Sequence, residues 1–357
     1  HPDSDHYKGF QKLFDDSRFR FGTVFHNGIV ERTGDDRLGP SILHNNQKYL
    51  TDVVRNKDRL SALLTDAANR GRMQYPRLLF TALNGGRVDD VRMLAAGENA
   101  FPSRELFGKN ISMQAIAPVT ETINGDTTLR WFADRPGKTK SGNVGKTKNG
   151  HSVVTVLQYG RVRLLLGGDL NIPAEDYLLD HYGHDTDVFR VDVAKACHHG
   201  SADFSTAFLE RIRPLITVIS SGDDESHSHP RADALGTIGK HSRGKRSLIF
   251  STELARSAPE RIINARAIQK QVLELADKMA AASGDAREKA RKKLEREVRK
   301  TIRRSVQVYG LITLRTDGDR ILMAQRLERA ASATRKWDLY PIERDNSVLR
   351  FQSRHGH

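Results

Sequence analysis

The chain contains very little cysteine, because Cys197 is the single one among its 357 residues. One thiol excludes an internal disulfide framework and fits a reducing compartment, so we expect a cytoplasmic protein. Long apolar runs are also missing, since no stretch approaches the ~18–20 residues of a membrane-spanning helix. We therefore expect no transmembrane segment in this chain.

A secretory signal, which would place a basic and then an apolar stretch at the start, is likewise missing. The chain begins with histidine inside a polar motif rather than with methionine, so we expect its true N-terminus to lie upstream. No internal repeat is visible.

Positive charge is abundant, with 58 Lys and Arg against 44 Asp and Glu and a net charge of +14. This balance favours polyanionic partners such as nucleic acid or anionic lipid, although basic charge can also serve solubility alone. Hydrophobic residues make up 38% of the chain, enough to bury a sizeable core.

Residues 257–305 differ in composition from the rest, because Ala, Glu, Lys and Arg dominate there. Ser283 and Gly284 divide the stretch, which predicts a helical hairpin with fourteen basic and seven acidic residues. The hairpin, residues 259–304, is either a solvated insertion or a surface that binds phosphates. We expect the core to occupy residues 1–256, with closing strands and a tail in 306–357.

Strand patterns dominate the middle of the chain. The stretch "HSVVTVLQYGRVRLLLGGDL" predicts a β-hairpin whose second strand ends at Gly167-Gly168-Asp169. Two further apolar runs end in "KACHHGS" and "SHSHP", and an Asp-Gly hairpin is predicted near residue 317. Residues 134–150, rich in Gly, Lys and Asn, predict a mobile loop.

Seven of the fourteen histidines stand with acidic residues at or near the ends of predicted strands. A single such histidine is more often a loop or core residue, whereas several clusters at one edge of a sheet favour a shared metal site. The candidates are His1, Asp3, Asp5, His6, His151, Asp169, His198, His199, His227 and His229.

Three motifs resemble those of a known family. "HPDSDH" is similar to the H-x-H-x-D-H signature of the metallo-β-lactamase fold, and "LLLGGDL" resembles its T-G-D strand end. "KACHHGS" and "SHSHP" resemble segments of the branch related to the ComEC/Rec2 competence proteins. The resemblance covers residues 1 to about 255 and strands in 306–340, and the helical hairpin has no counterpart in it.

The resemblance implies a four-layer αββα sandwich, an N-terminal hairpin lying upstream of this chain, and two divalent metal ions at one rim. It assigns His1, Asp3 and His151 to the first ion, and Asn149 is an alternative to His151. Asp5 and His6, with His198 or His199, would hold the second ion, and Asp169 would bridge the pair. Asp3 stands where the family most often has histidine, which favours Mn²⁺ or Mg²⁺ or weakens Zn²⁺ binding.

Two such ions activate a bridging water and bind both the attacking and the leaving oxygens of a phosphodiester. Asp5 is the candidate base, and His227 or His229 is the candidate donor to the developing charge. We therefore predict a phosphodiesterase, most concretely a DNA or RNA nuclease. The alternatives are a hydrolase of a small ester, lactone or cyclic nucleotide, and a metal-poor binding module without catalysis.

Two neighbours of the histidine pair have simpler interpretations. Cys197 could be a nucleophile or a thiolate ligand, but its place beside a strand end favours a buried, inert thiol. Lys195 is a weaker candidate for a phosphate contact.

Overall fold

The computed structural model describes residues 1–71, 73–134, 142–222, 227–244, 246–252, 265–305, 311–327, 334, 336–346 and 348–351. The helices are α1 Ser4–Tyr7, α2 Phe10–Asp15, α3 Lys57–Thr65, α4 Ala67–Gly71, α5 Gln74–Asn84, α6 Val144–Gly150, α7 Ile172–Tyr182, α8 Thr206–Ile212, α9 Ala232–His241, α10 Ala265–Ala281 and α11 Gly284–Ser305, with a 3₁₀ turn at Cys197–Gly200. The strands are β1 Phe21–His26, β2 Ser41–His44, β3 Gln47–Leu50, β4 Val88–Met93, β5 Asn99–Leu106, β6 Lys109–Ala117, β7 Glu121–Ile123, β8 Asp126–Arg130, β9 Val154–Tyr159, β10 Val162–Leu166, β11 Val193–Lys195, β12 Ile216–Ile219, β13 Leu248–Ser251, β14 Ile312–Thr316, β15 Ile321–Arg326, β16 Trp337–Asp345 and β17 Val348–Phe351.

A seven-stranded sheet of mixed direction, ordered β13-β12-β11-β10-β9-β6-β5, lies at the centre of this α/β structure. The predicted hairpin of β9 and β10 is confirmed, with Val162 opposite Tyr159 and Leu166 opposite Thr155. Strands β10 to β13 run parallel to one another. The carboxyl ends of these four strands therefore meet at one edge of the sheet.

The two faces of this sheet are covered by different layers, because successive side chains in a strand point to opposite faces. Leu165 and Ala194 pack with Leu178 of α7 and Phe208 of α8. Their neighbours on the other face belong to a second cluster, shared with the C-terminal sheet β14-β15-β16-β17. A layer of helices, the large sheet and the smaller sheet thus pack in that order.

The C-terminal strands contribute directly to the core. The predicted Asp-Gly hairpin is confirmed, because Ile312–Thr316 pairs antiparallel with Ile321–Arg326. Met323 and Ile342 are fully buried beside Phe250 of the large sheet.

Part of the loop predicted at 134–150 is instead a helix, and residues 135–141 lie outside the described residues. The Asn143 side chain caps α6 by accepting from the Lys146 amide. The Thr147 hydroxyl, fully buried, accepts from the Phe132 amide. The Asn143 cap is local, whereas Phe132 lies 15 residues before Thr147, so the polar composition of the segment alone did not reveal a helix.

The basic stretch forms two helices that pack against each other, α10 and α11, and the change of helix falls at Gly284, where φ is +54°. Residues 257–264 of the basic stretch lie outside the described residues. Leu275 is buried, whereas the basic side chains from Arg287 to Arg296 are exposed. Among the described residues, no helix has the length and apolarity needed to cross a bilayer.

Candidate metal centre

Asp169 lies at the centre of the site, immediately after β10. Gly167 and Gly168 make the turn that brings it there, and neither position has room for a side chain. A Cβ on Gly167 would lie 2.6 Å from Cys197 Sγ, and one on Gly168 would lie 2.5 Å from Ser152 Cβ. Gly168 also has φ +55°, a backbone region that favours glycine. The carboxylate that results is 5% exposed.

Three other side chains converge on Asp169. Its Oδ2 atom lies 3.1 Å from His6 Nε2 and 3.5 Å from His199 Nε2. Asp5 Oδ2 lies 3.5 Å from the same His6 atom and 3.3 Å from the same His199 atom. One ligand atom of each of the four residues lies within 4.8 Å of the other three. We call Asp5, His6, Asp169 and His199 the four-residue cluster.

The His199 ring is held with its Nε2 atom facing the cluster. Nδ1 lies 2.7 Å from the Ser220 carbonyl oxygen, so it carries the proton and donates it there. Nε2 then presents a lone pair, as a metal-ligating histidine requires. Both His198 and His199 have positive φ, 46° and 54°, a strained turn that directs the ring from the end of β11.

His1 is held in the same way by Ser152. The Ser152 hydroxyl donates to the Asn149 carbonyl oxygen at 2.8 Å and accepts from the Asp169 amide at 2.9 Å. His1 Nδ1, at 3.0 Å, must therefore donate to that hydroxyl oxygen. His1 Nε2 is left with its lone pair, 3.8 Å from Asp169 Oδ2.

These atoms fit a divalent cation. Nε2 of His1, His6 and His199 and Oδ1 of Asp169 are buried, and none has a hydrogen-bond partner among the described residues. Buried polar atoms are rarely left unpaired, and converging imidazole nitrogens with carboxylate oxygens suit Zn²⁺ and Mn²⁺. The four-residue cluster could therefore hold a metal ion.

The electrostatics of the site centre on Asp169. Burial opposes ionisation, but the neighbouring His199 and His6 rings and the charge of Lys195 hold the pKa of Asp169 well below its usual range. Conversely, the adjacent Asp169 carboxylate raises the pKa of His199. Lys195 Nζ donates to the Gly168 carbonyl at 3.0 Å and lies 3.6 Å from Asp169 Oδ1. A carboxylate that stays ionised is ready to bind a cation.

The cluster opens into a cleft of about 860 Å³. Asp5 lines this cleft, with 59% of its side chain exposed. The ring of His198 lies 5.7 Å from that of His229, which is 5.7 Å from that of His227. These three histidines line the cleft wall and do not belong to the four-residue cluster.

The structure does not bring His151 to the cluster. Its side chain is buried against the Phe132 ring, and Nε2 lies 2.6 Å from the Arg130 carbonyl oxygen. Burial lowers the pKa of His151 to about 4, so the ring is neutral. The alternative residue, Asn149, lines the cleft instead, because α6 ends between the two residues and they face opposite sides.

Comparison with known proteins adds one limited similarity. A segment of 97 residues, 27% of the chain, is 28% identical to ComE operon protein 3 of Bacillus subtilis (strain 168). The match covers 12% of that protein, so the chain corresponds to a small part of it. No family matches the chain, and no solved structure does. The similarity fits the link to competence proteins that the motifs indicate.

Sequence reasoning missed the residues that support the centre. Lys148 contacts Asp3 and lies 3.0 Å from Glu31 Oε1, while Ser152 and Ser220 orient the histidines. Ser152 directly follows the predicted ligand His151, which was a usable signal. Glu31 and Lys148 stand 117 positions apart, and no local pattern connects them.

Proposed function

We propose that the protein is a metal-dependent hydrolase of phosphodiesters, built on the metallo-β-lactamase αββα sandwich. The observation that carries the proposal is the convergence of Asp5, His6, Asp169 and His199, whose ligand atoms face one another at the sheet edge. The packing of helices, large sheet and small sheet supports the fold. The lone cysteine supports a cytoplasmic location.

The cluster would hold Mn²⁺ or Zn²⁺, with Mg²⁺ as a third candidate. When bound, such an ion polarises a phosphoryl oxygen and makes water a stronger acid at neutral pH. Asp5 is the residue that can accept the proton of the attacking water, because its carboxylate is open to the cleft. His229 and His227 line the same cleft, where either can donate a proton to the leaving oxygen.

Nucleic acid is the substrate that the charge favours. The chain carries a net charge of +14, and α11 has ten basic against four acidic residues. A polyanion bound along such a surface releases counterions, so its affinity falls steeply with salt. A small ester, lactone or cyclic nucleotide releases few or none, and this difference separates the two classes of substrate.

The deciding experiment titrates Mn²⁺, Zn²⁺ and Mg²⁺ into assays of single- and double-stranded DNA, RNA and bis-p-nitrophenyl phosphate. We expect metal-dependent cleavage that is abolished in Asp169→Asn. Asp176→Asn, an exposed carboxylate on α7, is the matched control and should cleave as the wild type does. Cleavage by Asp169→Asn at the wild-type rate would refute the site.

The proposal of a non-catalytic binding module is separated by elemental analysis of the purified protein. A metal-dependent hydrolase retains a fixed number of metal ions per chain, whereas a metal-poor module retains none. The sequence predicts two ions, and the four-residue cluster has the ligands for one of them, which leaves His1 and Asp3 for the other.

A further inference from the structure

The four-residue cluster and the neighbouring pair, His1 and Asp3, differ in which groups face their carboxylates. In the four-residue cluster, Asp5 and Asp169 face imidazole nitrogens. Asp3 lies outside that cluster. One of its oxygens, Oδ2, is 3.7 Å from His1 Nε2, and the other, Oδ1, is in direct contact with the Lys148 ammonium.

Lys148 is fixed in this position from both sides. It lies in the last turn of α6, with 14% of its side chain exposed, and its Nζ is also 3.0 Å from Oε1 of the buried Glu31. The site therefore contains an ammonium that two carboxylates hold in place.

We propose that the Lys148 ammonium takes the place of a second metal ion at His1 and Asp3, so that the protein retains one ion, at the four-residue cluster. This inference rests on the proposed function and specifies how many ions the hydrolase uses. Lys148 is then a positioning residue, because it acts through Asp3 rather than on the substrate.

The physical reason is competition for one carboxylate. A divalent ion bound to Asp3 Oδ2 would lie close to an ammonium on Oδ1 of the same group, and like charges in a partly buried site repel strongly. The ammonium has three donors, and Asp3 and Glu31 accept from two of them without an ion. The cluster around Asp169 has no lysine contact shorter than the 3.6 Å of Lys195 among the described residues.

The experiment counts bound ions. Wild-type protein and Lys148→Met are saturated with Mn²⁺, dialysed, and analysed for metal and by electron paramagnetic resonance. We expect one ion per wild-type chain with the spectrum of isolated Mn²⁺. We expect two ions per chain in Lys148→Met, with a spin-coupled spectrum, and at least a tenfold gain in affinity for the second ion by titration calorimetry.

Lys146→Met is the matched control, since Lys146 lies on the same helix and pairs with Asp203 away from the cluster. It should retain one ion. If Lys148→Met fails to fold, the double variant Lys148→Met with Glu31→Gln, which restores the charge balance, replaces it and should also bind two ions.

Other results separate the inference from the proposed function. Two tightly held ions in the wild type, or one ion in the folded lysine variants, would overturn the inference and leave the hydrolase proposal standing. The first result would mean that Lys148 only orients Asp3 as a ligand. A wild-type protein that binds no ion would overturn both.

Discussion

Glu175, buried beside Cys197, should make the stability of this protein depend on pH. The residue lies near the start of α7 with its side chain fully buried, and its Oε2 accepts from the Ser205 amide at 2.5 Å. Burial raises the pKa of Glu175 to about 8, and the negative charges of Asp203 and Asp176 add to this effect. Burial likewise raises the pKa of the neighbouring Cys197 thiol.

The sign and size of the effect follow from this pKa. Between about pH 4.5 and 8 the folded protein keeps a proton on Glu175 that the unfolded chain has lost. Its contribution to stability is therefore fully present below pH 4.5 and is lost as the pH rises toward 8. Each pH unit in that interval weakens folding by up to about 1.4 kcal/mol, or roughly 3–5 kcal/mol in total.

Glu175→Gln should remove this dependence, because the amide keeps the acceptor for the Ser205 amide and does not titrate. Urea unfolding at pH 5, 6, 7 and 8 in excess EDTA measures the free energy of unfolding without bound metal. We expect the free energy of unfolding of the variant, relative to that of the wild type, to increase steadily as the pH rises. Asp180→Asn, at an exposed position on the same helix, should follow the wild type. Parallel curves for wild type and Glu175→Gln would refute the assignment of a raised pKa.

Three further predictions concern the proposed activity. Asp5→Asn should lower the cleavage rate of bis-p-nitrophenyl phosphate ~10²–10⁴-fold, because the cleft loses its exposed base, and unchanged turnover would exclude that role. Ser152→Ala should weaken Mn²⁺ binding ~10–100-fold in calorimetry, because it removes the hydroxyl that accepts from the Asp169 amide and orients His1. Equal affinity in the variant would show that this hydroxyl is dispensable. Replacing the exposed Lys292 and Lys293 with Gln should reduce the magnitude of the slope of log affinity for DNA against log salt concentration by at least ~0.7 in binding titrations. An unaltered slope would show that DNA does not bind along this part of α11.

Much of the fold could be predicted because its signals are local. The apolar and β-branched runs of β9, β10, β14 and β15 predict strands, and the turn residues between them mark the hairpins. Helix α6 could not be predicted in this way. Its cap, Asn143, directly precedes it in the sequence, but the Thr147 hydroxyl also accepts from the Phe132 amide, 15 residues away, and the composition of the segment does not reveal that contact.

The candidate site likewise has a part that the sequence predicted and a part that it did not. The sequence by itself determined that Asp169, His198 and His199 follow apolar strands, and the carboxyl ends of parallel strands meet at one edge of the sheet. Asp5 and His6 lie in α1 instead. Tertiary structure alone decided which of them meet. It directed His151 into the core and Asn149 toward the cleft, although they are two residues apart. It also brought Lys148 between two carboxylates from distant segments, because a salt bridge depends on distance in space and not on separation along the chain.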